Sequence, residues 1–140
     1  MLDKERILGK IDDMNSYLDE LRQIIPATFS DYQTIEKKRS CERLLHLCIK
    51  CVIDVCKLFV SGLKLGLPYG ENDLFDKMQK RKLISADLAS LLKEMRAFRN
   101  ILIHEYAHVD NELVYEKTKS RLGDFEIFKK EVVTALKDLQ

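Results

Sequence analysis

A chain of 140 residues is long enough to bury one core and too short for a second independent one, which points to a single domain over 1–140. Hydrophobic residues make up 46% and charged residues 34%, and five Gly with two Pro leave little of the punctuation that sheets and long loops need, so the balance favours helices. Lys and Arg number 24 against 23 Asp and Glu, a net charge of +1, so no global field draws the protein to nucleic acid or membrane and any phosphate recognition must be local.

The opening "MLDKERILGKIDD" is charged from its third residue and lacks the apolar run of a signal peptide. The most apolar stretch, "LCIKCVIDVCKLFV", is broken by Lys50, Asp54 and Lys57 and is not a membrane span. The expectation is a cytoplasmic protein with reduced thiols at Cys41, Cys48, Cys51 and Cys56.

In chain order, Ile7, Ile11, Met14, Leu18, Leu21 and Ile25 recur at helical spacing up to Pro26 and predict a first helix over roughly residues 3 to 25. A second helix is expected from near Asp31 through Ile35, Leu44, Leu45, Cys48, Val52, Val55 and Phe59, with Gly62 a left-handed residue just past its end. "LGLPYGEND" reads as a turn, and Asn72 as the cap of a short helix carrying Leu74, Phe75 and Met78. Ser85 is the expected N-cap of a helix whose stripe is Leu88, Leu91, Met95, Phe98, Leu102 and Tyr106, with Asp87 suited to its first turn. Asp110 or Asn111 starts a further stretch through Leu113, Val114 and Leu122, Gly123 interrupts it, and "DFEIFKKEVVTALKDL" closes the chain. The whole reads as an all-α, up-and-down bundle of about five helices.

Within the Ser85 helix, "RNILIHEY" sets Arg99, His104 and Tyr106 among apolar residues. On an ideal helix Asn100 and His104 lie within about 40° of each other, facing away from the core stripe, while Arg99 is about 140° from His104. One regular helix therefore does not aim Arg99 and His104 at one atom. Either the helix ends or distorts near His104, or a second copy supplies the partner across a two-fold axis, and the off-stripe Ile101 and Ile103 favour such a dimer contact.

"RNILIHEY" matches R-x4-H-x-Y, and the chain resembles the HepT-like branch of the HEPN family over about two-thirds of its length, from "CERLLHLCIKCVIDVCKLFV" through "LGLPYGENDLFDKM" to "VDNELVYEKTKSRLGDFEIF". The resemblance implies a metal-independent ribonuclease toxin that needs no cofactor and acts as a homodimer on RNA. In RNA cleavage by the internal 2′-hydroxyl, His104 would exchange protons, Arg99 would hold phosphoryl oxygens and Asn100 would orient phosphate or imidazole. It further implies a nucleotidyltransferase antitoxin as partner, with Tyr106 the residue it adenylylates. Asp54 is a candidate supporting residue, with pairing to Lys50 or Lys57 the structural alternative. A non-catalytic HEPN module that binds nucleotide or a partner is the other reading within the family.

Two metal readings compete. "HEYAH" satisfies the zinc-protease pattern H-E-x-x-H through His104, Glu105 and His108, but no histidine follows, so Glu126 or Glu131 would have to be the third ligand. Cys48-x2-Cys51 lies mid-helix without a second pair, which fits buried thiols better than a metal site. "KMQKRK" at 77 to 82 is the densest basic run and reads as a solvated helix face or a phosphate contact.

Overall fold

In the computed structural model of the chain, residues 1–103 and 110–139 are described in full and His104 as backbone alone. Seven helices are found among them: α1 (Lys4–Ile24), α2 (Phe29–Tyr32), α3 (Ile35–Gly62), α4 (Glu71–Lys80), α5 (Ala86–His104), α6 (Asn111–Ser120) and α7 (Gly123–Asp138). The all-α bundle is the one expected from sequence, the short helix carrying Leu74, Phe75 and Met78 included, and the unexpected element is the single turn α2. None of the described helices is long and apolar enough to cross a membrane.

Local chemistry explains most boundaries. The Asp3 carboxylate accepts the Arg6 N–H and starts α1, which buries Ile7, Ile11, Met14, Leu18 and Leu21. Pro26 biases Ile25 to extended backbone and ends it. The second helix does not begin near Asp31. Thr28 caps the short α2, the chain then breaks, and the Thr34 hydroxyl accepts the Lys37 N–H to start α3. Two threonine caps, each accepting a backbone N–H from three residues on, outcompete one continuous helix.

Gly62 is likewise not the left-handed residue. It closes α3 in helical conformation, and positive φ falls on Lys64 (54°) and Gly66 (104°). A Cβ at Gly62 would stand 2.9 Å from the Leu2 Cα, so glycine is there for close approach of the N-terminal segment. Asn72 does not cap α4. Gly70 is the N-cap, and the Asp73 carboxylate accepts the Tyr69 N–H at 2.9 Å from within the first turn. Gly123 opens α7 directly, with two residues between it and the end of α6.

The Ser85 Oγ does cap α5, accepting the Leu88 N–H at 3.1 Å. The same serine donates its N–H and hydroxyl to Glu131 of α7, at 2.6 and 2.9 Å, which fixes where α5 enters the bundle. On α5 the fully covered residues are Leu88, Ala89, Leu92 and Leu102. Leu91, Met95 and Phe98 of the expected stripe are half-buried, lining a cavity of about 60 Å³ with Leu45, Ile49 and Phe125. The stripe thus turns toward Leu92, because α5 must cover α3 and α4 on one side and meet α7 on the other.

The core is one cluster centred on α3, whose Phe59 is fully covered. Phe59→Ala is expected to cost about 3–5 kcal/mol of unfolding free energy, read from urea unfolding followed by circular dichroism.

Candidate functional site

Arg99 lies near the end of α5, its side chain 15% exposed. Its guanidinium meets a residue that sequence reasoning missed, Glu71 in the first turn of α4. Nη1 donates to Glu71 Oε2 at 3.0 Å, and Nη2 donates to Glu71 Oε1 and to Asn100 Oδ1, the latter at 2.9 Å. Arg96, one turn earlier on α5, adds a bond from Nε to Glu71 Oε1 at 2.9 Å. One carboxylate therefore holds two guanidiniums, with the Asn100 amide oxygen steadying the inner one.

Glu71 is partly buried, and that burial opposes its ionisation. The hydrogen bonds and charges of Arg99 and Arg96 overcome it and hold the carboxyl below its ordinary range. Arg99 Nε is buried without a hydrogen-bond partner among the described residues, so the guanidinium is not saturated by this arrangement.

A second missed residue is His46 on α3. Its Nδ1 lies 3.5 Å from Arg43 Nη1. Partial burial lowers its pKa first, and the positive charges of Arg43, Arg99 and Lys50 lower it further, so the imidazole stays neutral at neutral pH. The polar strip of α3 and the Arg99 end of α5 thus share one electropositive region. The available signals were slight: Arg96-x2-Arg99 puts two cations on one helix flank, and Glu71 is an acidic residue directly after a turn.

Asp54 takes the structural alternative with Lys50. It accepts from Lys50 Nζ at 3.0 Å, with Lys10 of α1 at 3.4 Å. Ile101 and Ile103 are 38% and 43% exposed, off the core stripe as expected. The His104 side chain, Glu105, Tyr106 and His108 lie outside the described residues. Of the acids that the zinc reading would recruit, Glu131 is engaged by Ser85 and Glu126 by Arg22. The four cysteines are buried free thiols. Burial pushes Cys41 and Cys51 up to about 11, Cys48 to about 12 and Cys56 further still. In "KMQKRK", Lys77 pairs with Asp73 at 3.4 Å, while Lys80, Arg81 and Lys82 are exposed.

Because the folded pKa of Glu71 is depressed, its contribution to stability is complete above the ordinary glutamate range and is lost as pH falls through the folded value. Glu71→Gln is expected to destabilise the fold by about 1.5 kcal/mol at pH 7. The gap from the native chain should close as pH falls through the depressed folded value of Glu71, as measured by urea unfolding at a series of pH values.

A family model described as Ribonuclease HepT-like matches residues 14–132. The tRNA nuclease HepT of Aphanizomenon flos-aquae is 26% identical over 132 residues, 94% of this chain and 90% of the relative. The mRNA nuclease HepT of Shewanella oneidensis is 26% identical over 122 residues, 87% and 92% of the two chains. Among solved structures, the tri-AMPylated Shewanella oneidensis HEPN toxin in complex with MNT antitoxin is similar with a TM-score of 0.84 at 25% identity, covering 91% of this chain and 96% of that one. The cytosolic protein YutE of Bacillus subtilis shares the fold with a TM-score of 0.82 at 21% identity, covering 98% and 92%. Since the family model spans most of its length, the chain belongs to the Ribonuclease HepT-like family.

Proposed function

We propose that this protein is a metal-independent endoribonuclease, the toxin of a two-component toxin–antitoxin module, acting in the cytoplasm as a homodimer. The observation that carries the reading is the guanidinium of Arg99, held near the end of α5 by Glu71 and Asn100, with His104 five residues beyond it in the same helix. Family membership supplies the reaction class.

RNA carries its own nucleophile. When the 2′-hydroxyl attacks the neighbouring phosphorus, one group takes its proton, another protonates the departing 5′ oxygen, and negative charge grows on the non-bridging oxygens. His104 performs proton transfer, since an imidazole titrates near neutrality. Arg99 meets the growing charge with a fixed positive fork, and Asn100 holds that fork in orientation. The products are a 2′,3′-cyclic phosphate and a 5′-hydroxyl.

Arg99 and His104 diverge by about 140° on a regular helix, so a second protomer completes the site. The exposed Ile101 and Ile103 supply apolar surface for that contact. The antitoxin partner follows from the Shewanella oneidensis relative, which was solved AMPylated and in complex with its MNT antitoxin. In this chain Tyr106 is the corresponding acceptor. A bulky adenylyl phosphate there competes with the RNA backbone for Arg99.

Purified protein treated with EDTA should cleave RNA to cyclic-phosphate ends, and His104→Ala and Arg99→Ala should each lower the rate at least about 100-fold with the circular dichroism spectrum unchanged. A folded, metal-stripped dimer that cuts no RNA, while binding a nucleotidyltransferase stably, would instead select the non-catalytic module. Peptidase activity restored by zinc would select H-E-x-x-H. Tyr106→Phe should abolish transfer of radiolabelled adenylate from ATP by the cognate nucleotidyltransferase, read by gel autoradiography.

A further inference from the structure

Arg96 and Arg99 stand one turn apart on α5 and converge on a single carboxylate. A carboxylate presents two anionic oxygens on one centre, and so does a phosphodiester with its two non-bridging oxygens. Guanidiniums bind both through the same parallel N–H forks. Glu71 therefore occupies Arg99 in the manner that the proposed substrate would. With Nη1 and Nη2 both donating to Glu71, and Nη2 also to Asn100, the end-on fork of Arg99 is fully used.

The occupant is not deeply trapped. Glu71 belongs to the first turn of α4, its side chain is 24% exposed, and the Arg96 side chain beside it is 33% exposed. An incoming phosphate replaces one anion by another on the same donors, while the released carboxylate gains water.

We propose that Arg96 and Arg99 form a two-guanidinium socket for one RNA phosphodiester, and that the Glu71 carboxylate fills this socket in the free protein and yields to the phosphate on binding. The inference rests on the ribonuclease reading for the identity of the ligand. It adds Arg96 as a phosphate-binding residue and Glu71 as an internal competitor.

The probe is a fluorescent 2′-O-methyl oligoribonucleotide, which keeps the phosphates and lacks the nucleophile, so that anisotropy reports binding alone. Glu71→Gln, which keeps shape and loses charge, should bind it about tenfold more tightly even though the fold is weaker. Arg96→Gln should bind about tenfold more weakly and flatten the log–log salt dependence by about 0.7. A folded Glu71→Gln variant that binds no better than the native chain would reduce Glu71 to a tie between α4 and α5 and overturn the competitor. Arg96→Gln with native affinity and native salt slope would overturn the socket, and this variant decides the matter if Glu71→Gln does not fold. Variants that show these binding responses, alongside a native chain that never cleaves unmodified RNA, would sustain the socket and remove the nuclease reading.

Discussion

A 28-residue helix covered over most of its circumference governs how the other helices are placed. Along α3, Cys41, Leu45, Cys48, Ile49, Cys51, Val52, Ile53, Val55, Cys56, Phe59 and Val60 are all buried, including adjacent residues that cannot share one face. Such a helix is stable only when neighbours approach from several sides. α1 covers one side along its length, while α4 and α5 pack against another. Along the middle of the helix the polar residues Arg43, His46, Lys50, Asp54 and Lys57 recur at three- and four-residue steps, with Arg43, Lys50 and Lys57 exposed.

That arrangement determines the chemistry at the end of α5. Because α4 and α5 both dock on α3, the first turn of α4 comes beside the last turns of α5, and Glu71 meets Arg96 and Arg99 across 25 and 28 residues of sequence. The near-zero net charge of the whole chain conceals this local order. Two cations of α5 gather at one point, and the acid that balances them comes from α4.

The parts legible in the sequence were those decided within one helix. Apolar periodicity marked α1 and the body of α3, and the caps Ser85 and Asp110 each act through a backbone N–H two or three residues on. Arg99 and Asn100 stood out as polar residues of a recognisable motif, and their mutual hydrogen bond is local too. The misread features depend on what lies across the fold. Gly62 serves the approach of Leu2, a requirement no turn rule contains. Leu92 rather than Leu91 is fully covered because the tilt of α5 is set by its neighbours and by the Ser85–Glu131 contact. Glu71 and His46 gained meaning only once three helices were assembled, since neither has a motif partner nearby in sequence.

The buried thiols of α3 have a practical corollary. All four stand in the helix that holds the core together, and their protonation is enforced by the same covering that excludes solvent. Thiolate is the species that attacks alkylating reagents, so native molecules should resist iodoacetamide, and each chain that opens should be trapped at four sites. The central helix thereby carries its own chemical clock for unfolding, without any introduced label.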